Sequence, residues 1–266
     1  MVWGCVGFTH RRVSMADSLA AVVLAAGAGT RLRPLTSLRP KALCPVDNVP
    51  LVDSAIAHVR AATADVAVNA HHGRDALVAH LDGAGVHVSV EADEALGTAG
   101  ALGRLRDWIA GRPVLVANAD AWHRADLGAF AAGWDGERVR LLTVVEPARS
   151  TWGDRRYAGA ALMPWSEVGE LRPEPSGLYE VSWRRRQPGD GLDLVLHDGP
   201  FFDCGTPAGY LGANLTASGG RAVVARDAVV DGEVIESVVW PGAVVHDGER
   251  LHRAIRGSER VTVLVR

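Results

Sequence analysis

The chain has 266 residues, 48% of them hydrophobic and 22% charged, with a formal net charge of −3. That length suits one large α/β domain, or one domain with a small appendage, and suffices to bury a sizeable core. The mild acidity argues against a nucleic-acid or anionic-membrane binder, and no apolar run approaches the ~18–20 residues of a membrane span.

Three cysteines, Cys5, Cys44 and Cys204, contain no CxxC pair. They exclude a disulfide framework and a cysteine-rich zinc site, and they fit a reducing cytosol. Residues 1–14 show no periodicity, and their basic pair follows the apolar stretch, the reverse of a secretory leader. Met15 reads as the natural start, so residues 1–19 are expected to be an N-terminal tail.

Ala20–Ala25 is a short apolar run ending in glycines, which predicts a fully buried strand. Leu51–Arg60 has helical spacing through Leu51, Ile56 and Val59. Val66–Asn69 predicts a second strand, Arg74–Leu81 a helix and Val86–Val90 a third strand. Thr98 can cap a helix running through Asp107, and Val114–Ala117 predicts a fourth strand. Short β-branched runs separated by short helices imply an α/β fold, with a mostly parallel sheet covered on both faces. Ligands in such folds lie at the carboxyl ends of strands, so the loops after Ala25 and Ala117 are the informative ones.

The first of these loops, Ala25–Val46, reads AAGAGTRLRPLTSLRPKALCPV. It lacks the third glycine of GxGxxG and the GK[ST] of a Walker loop. Gly27 and Gly29 remove Cβ atoms where a backbone must approach a ligand, and exposed N–H groups in such a turn cradle anions. Arg31, Arg33 and Lys41 add cations, and Pro34 and Pro40 stiffen the loop. The combination suits the phosphates of a nucleotide.

The run LAAGAGTRLRPLT followed by PKALCPV resembles the N-terminal signature of the sugar-1-phosphate nucleotidyltransferases. Further matches follow in family order: VNAHH at Val68–His72, EALGTAGAL at Glu94–Leu102, LVANAD at Leu115–Asp120, and FFDCGTPAGYLGAN at Phe201–Asn214. The resemblance covers residues 20–216. It implies the nucleotide-diphospho-sugar transferase fold, a Rossmann-like mixed, mostly parallel sheet with helices on both faces. It also implies an enzyme that makes an NDP-sugar and pyrophosphate from an NTP and a sugar 1-phosphate, using Mg²⁺.

By that resemblance Ala25, Ala26, Gly27, Ala28, Gly29 and Thr30 bind the nucleotide, and Leu96, Gly97 and Thr98 lie against its base. Arg31 would hold the departing phosphates, and Lys41 would also reach them. Asp120 and Asp203 would bind Mg²⁺, a hard ion that needs oxygen ligands. Either aspartate alone also reads as a turn or cap residue. Gly97 would let the base approach the backbone. The GTAG segment resembles the mannose-1-phosphate guanylyltransferases, so GTP with mannose 1-phosphate is the expected pair. The Asp120-Ala-Trp122 arrangement also resembles the N-acetylmuramate-1-phosphate uridylyltransferases, which leaves UTP or dTTP with another sugar 1-phosphate open.

One departure weakens the likeness on the sugar side. Members usually carry a Glu-Lys-Pro segment whose lysine contacts the sugar phosphate, whereas Val144–Ala148 reads VVEPA and the stretch that follows is shortened. Arg149, Arg155 or Arg156 could supply the missing cation. The departure also admits a nucleotide-sugar-binding regulatory paralogue without turnover. His71 and His72 read as a satisfied turn, Arg184–Arg186 as a solvated face, and Cys204 as non-catalytic. Trp122 and Trp152 are candidates for the border of the sugar pocket.

From Gly219 the pattern changes to short aliphatic runs. Val224 and Val230 lie six apart, as do Val239, Val245 and Leu251. That spacing suggests at most about three coils of a hexapeptide β-helix, with an irregular meander as the competing reading. The expected organisation is a tail over 1–19, a transferase domain over 20–216 and a short β-helix-like segment over 217–266. The resemblance implies homo-oligomerisation through that segment.

Overall fold

The computed structural model describes residues 19–266, so the expected tail falls almost wholly outside the described residues. The chain opens on β1 (Ala20–Leu24), followed by a ribbon of β2 (Pro45–Val46) and β3 (Val49–Pro50), then α1 (Leu51–Val59). β4 (Val66–Ala70), α2 (Arg74–Leu81), β5 (His87–Val90), α3 (Gly97–Arg104) and α4 (Arg106–Ile109) come next. β6 (Val114–Asn118), β7 (Ala121–His123), α5 (Leu127–Ala131), β8 (Val139–Val145) and β9 (Arg155–Met163) follow. The core closes with α6 (Trp165–Val168), α7 (Leu178–Val181), β10 (Gln187–Pro188), β11 (Gly191–Leu196), β12 (Phe201–Asp203) and α8 (Pro207–Ala217). The single helix expected from Thr98 to Asp107 is thus two, broken at Leu105.

Eight strands form one sheet in the order β10-β11-β8-β9-β6-β1-β4-β5. β1 lies between β4 and β6 and pairs parallel with both. β9 alone among the long strands runs antiparallel, against β6 and β8, which makes the sheet mixed but mostly parallel. Because successive side chains of a strand point to opposite faces, Ala21 and Val23 enter the core under α1, α2 and α5. Val22 enters the core on the other face, under α3 and α4. A strand apolar at every position is the composition that such a two-faced sheet requires.

The last 44 described residues build eight short strands: β13 (Val223–Val224), β14 (Val229–Val230), β15 (Glu233–Ile235), β16 (Val238–Val239), β17 (Val244–Val245), β18 (Arg250–His252), β19 (Ala254–Ser258) and β20 (Val261–Leu264). Parallel ladders β13-β16-β19, β14-β17 and β15-β18 make a three-sided, β-helix-like coil, with β20 folding back on β19. Val239, Val245 and Leu251 point inward and are buried. Val224 and Val230 are 38% and 36% exposed, because among the described residues no coil stacks above the first one. This segment packs on the core. Val223, Val238, Trp240 and Ile255 join Leu32, Leu35, Cys44, Tyr210 and Leu211 in one buried cluster. Trp240 Nε1–H donates to the Tyr210 hydroxyl at 2.9 Å, and Tyr210 donates to the Pro45 carbonyl.

A histidine stack underlies β7. The His123 ring lies 5.5 Å from His58 and 6.0 Å from His197, and its side chain is 3% exposed. Burial, then the neighbouring His58 and His197, push the His123 pKa down to about 3.

Two outcomes follow from this packing. Trp240→Ala should lower the unfolding free energy by about 3–5 kcal/mol, read by denaturant titration at pH 7. Folded His123 stays neutral while the unfolded chain binds a proton below about 6.5. Stability should therefore fall as pH drops from 6.5 toward 3, with up to ~1.4 kcal/mol per pH unit from this residue. His123→Phe should flatten that slope relative to the wild type; equal slopes would remove His123 as its source.

Candidate functional site

The carboxyl ends of β1, β4 and β6 open into a cleft of ≈ 250 Å³. Of the residues expected to bind the nucleotide, Ala25, Ala26, Gly27, Gly97 and Thr98 line it, together with Lys41 and Asp120. Ala28 instead faces a groove on the other side of the loop, beside His71 and His72. Gly29 has φ 62° and opens the 3-10 turn Thr30–Leu32. A Cβ there would stand 2.8 Å from Thr36 Cγ2, so the glycine is imposed by the folding of the loop on itself.

One expectation about the opposite wall is corrected. Thr98 does not cap α3, whose N-cap position is Leu96 with no side-chain bond. Its hydroxyl oxygen accepts from the Leu178 N–H at 2.8 Å, holding α7 against the cleft. Gly97 has φ 71°, and a Cβ would lie 2.5 Å from the Ser176 carbonyl oxygen, so the 176 segment already demands glycine there. Leu96 is 8% exposed and does not line the cleft.

A second chamber, of ≈ 310 Å³, adjoins the cleft through Asn118 and Asp120, which line both. Its floor is a short antiparallel ladder in which Asp203 of β12 pairs with Ala121 of β7. The Cys204 N–H donates to the Asp120 carbonyl at 2.9 Å. The ladder brings Asp120 and Asp203, 83 residues apart in sequence, to the same chamber. β9 crosses so closely that a Cβ on Gly159 would meet Ala121 Cβ at 2.1 Å.

Cations offset the two carboxylates. Lys41 Nζ donates to Asp120 Oδ2 at 2.6 Å. Arg31 Nη1 and Arg156 Nη2 lie 3.2 Å and 3.5 Å from Asp203 Oδ2. Burial alone would raise the Asp203 pKa, but the Gly205 N–H, Arg31 and Arg156 outweigh it and hold the carboxyl below its usual range. Arg31 therefore lines the second chamber, not the nucleotide cleft, and its side chain is 60% exposed.

Of the three arginines that could stand in for the missing lysine, Arg149 and Arg156 line the chamber. Arg155 pairs with Asp154 at 3.2 Å and does not line it. Arg156 Nη1 also donates to Glu146 Oε2 at 2.5 Å. Cys204 is fully buried, and burial, then Asp120 and Asp203, push its thiol well up, so it offers no thiolate.

Among the described residues no group of three or more His, Cys, Asp or Glu side chains forms a metal cage. Two carboxylates fit a Mg²⁺ ion that keeps its remaining positions for water and phosphate oxygens.

The sequence reading missed a buried polar relay behind the cleft. The Ala25 N–H donates to Asn69 Oδ1 at 2.7 Å, and Asn69 Nδ2 donates to Glu91 Oε1 at 2.7 Å. Glu91 Oε2 then accepts from the Leu96 N–H at 2.8 Å. The relay ties the glycine loop to the opposite wall through a carboxylate that is 1% exposed. An asparagine inside an otherwise apolar strand was the available signal. His71 and His72 are a satisfied turn, as expected: their Nδ1–H groups donate to the carbonyls of Glu91 and Ala26 at 2.7 Å and 3.0 Å.

The Arg184–Arg186 triplet is not simply a solvated face. Arg186 bonds Glu167, and Arg184 and Arg186 line a pocket of ≈ 410 Å³ that shares Thr151 with the second chamber. Trp152 lines this pocket, whereas Trp122 packs on Phe202 with ring centroids 5.9 Å apart.

A family model described as Nucleotidyl transferase matches residues 20–148. The N-acetylmuramate alpha-1-phosphate uridylyltransferase of Caulobacter vibrioides is 35% identical over 170 residues, 58% of this chain and 70% of that protein. The mannose-1-phosphate guanyltransferase of Schizosaccharomyces pombe is 34% identical over 231 residues, 72% of this chain and 62% of that protein. In solved structures the same fold occurs in HddC from Yersinia pseudotuberculosis complexed with GMP-PN. That match has a TM-score of 0.63 at 16% identity, covering 74% of this chain and 99% of that one.

Glu91→Ala should leave the Asn69 amide and the Leu96 N–H buried without partners, at a cost of about 2–4 kcal/mol in denaturant unfolding. Glu91→Gln, which can still accept one of the two bonds, should recover part of it.

Proposed function

The chain belongs to the sugar-1-phosphate nucleotidyltransferases, enzymes that transfer a nucleotidyl group onto a sugar 1-phosphate, and from that premise we propose how its site is used. The cleft takes the NTP and the adjoining chamber takes the phosphate of the sugar. The observation that carries this reading is the β7–β12 ladder, which sets Asp203 in the chamber beside Asp120, the residue that lines both chamber and cleft.

An oxygen of the sugar phosphate attacks the α-phosphorus of the NTP. The bond between that phosphorus and the bridging oxygen to the β-phosphate breaks, and its electron pair leaves with pyrophosphate. Nucleophile and electrophile are both anionic, so neutralising and aligning them is the main task. The amides of Ala28 to Thr30 receive the departing phosphates, and the exposed Arg31 guanidinium turns from Asp203 in the chamber to join them. Lys41 exchanges Asp120 for the nucleotide phosphates, and Arg149 and Arg156 hold the sugar phosphate. Asp120 and Asp203 would hold Mg²⁺, which supplies further charge neutralisation at the phosphates when bound.

Two substrate pairs are in contention. GTP with mannose 1-phosphate is supported by the Gly97-Thr98-Ala99-Gly100 segment and by guanylyltransferase relatives aligned over 72% to 88% of the chain. UTP with N-acetylmuramate 1-phosphate is supported by the Caulobacter relative and by the arginine-lined pocket beside the chamber. Within this proposal residues 20–216 are the transferase unit. Residues 217–266 are the segment through which copies associate, offering the exposed Val224, Val229 and Val230, and light scattering tests it. No helix among the described residues is long and apolar enough to cross a membrane.

A panel of NTPs and sugar 1-phosphates with pyrophosphate detection tests the reading. Nucleotide binding without turnover for any pair would replace it with the regulatory one. Asp120→Asn and Asp203→Asn should each lower kcat by about 10²–10³, and Mg²⁺-dependent rates retained in both would refute the metal assignment.

A further inference from the structure

We propose that the acceptor sugar carries a second anion, a carboxylate, which Arg184 reads in the aromatic-walled pocket next to the phosphate chamber. The inference rests on the sugar phosphate lying in that chamber. Thr151 lines both spaces, so a sugar held by its phosphate at Arg149 and Arg156 extends toward Trp152. The Trp152 and Tyr179 rings meet edge to face, with centroids 6.2 Å apart, and wall the pocket with apolar surface for a sugar face.

The charged residues lining this pocket are Arg184 and Arg186, with no carboxylate among its lining. Arg186 has its charge answered by Glu167, yet its Nε is buried without a hydrogen-bond partner. Arg184 makes no ion pair among the described residues, is exposed, and lines the pocket. A neutral hexose offers a guanidinium only uncharged hydroxyl acceptors, whereas a carboxylate would take a charge-assisted, two-pronged bond from it. A site built to bond a polar group discriminates strongly against the analogue that lacks it. The pocket therefore selects a carboxylate-bearing sugar 1-phosphate over its neutral counterpart.

Matched acidic and neutral partners isolate the carboxylate: N-acetylmuramate 1-phosphate against N-acetylglucosamine 1-phosphate, and glucuronate 1-phosphate against glucose 1-phosphate. Calorimetric titration of each into the full-length protein, with Mg²⁺ and a non-hydrolysable NTP analogue, should show the acidic member of at least one pair binding tenfold or more tightly. Arg184→Gln should lower that preference about tenfold, while Arg185→Gln, the exposed neighbour outside the pocket lining, should leave it intact. Equal or weaker binding of both acidic members overturns the carboxylate subsite even if turnover is observed. A preference that survives Arg184→Gln overturns the role of Arg184. An acidic preference in binding without turnover of any pair keeps the subsite and defeats the transferase reading instead.

Discussion

Two carboxylates in one chamber repel each other, and the fold holds Asp120 and Asp203 there with a three-residue ladder between β7 and β12. β6 leads into Asp120 at the start of one ladder strand, and α8 follows Asp203 at the end of the other. Lys41, Arg31 and Arg156 offset the negative charge, and they outweigh the desolvation that would otherwise neutralise Asp203. In the proposed reaction the same cations meet the incoming phosphate. Before substrate binds they are satisfied by the aspartates, and the exposed Arg31 is the one with most freedom to change partners.

The sheet order fixes the distance between that charged centre and the neighbouring cleft. β1 sits between β4 and β6, so the glycine loop and Asp120 emerge from neighbouring strands at the same edge. The Asn69–Glu91 relay joins the loop to the far wall of the cleft. A buried carboxylate is tolerated there because both of its oxygens are bonded to N–H donors. The C-terminal coil then packs behind the phosphate loop. Leu32 and Leu35 share a cluster with Trp240 and Ile255, and Arg39 lies 4.7 Å over the Trp240 ring. The C-terminal segment thus buttresses the loop that carries Arg31 and Lys41.

Much of this was legible in the chain. β1 stands out because five consecutive residues are apolar, and α2 matches the expected helix at both ends. Strand ends shifted by a residue where pairing continued past the last aliphatic side chain, as at Ala70 and Asn118. The failures share a cause. Thr98 has the chemistry of a helix cap, but its bond goes to Leu178, 80 residues on. Arg184 and Arg186 read as solvated until the chain brings Thr151 and Trp152 beside them.

The sequence by itself determined the alternation of strands and helices, the glycine-rich turn after β1 and the family to which the chain belongs. These depend on periodicity and on residue types spaced closely along the chain, where local sterics and hydrogen-bonding capacity act directly. Only the tertiary structure decided which arginine faces which carboxylate, how the relay through Glu91 closes, and which pocket adjoins the chamber of Asp120 and Asp203. Those are contacts between segments tens to more than a hundred residues apart, and the packing of the whole sheet, not any local preference, sets the distances between them.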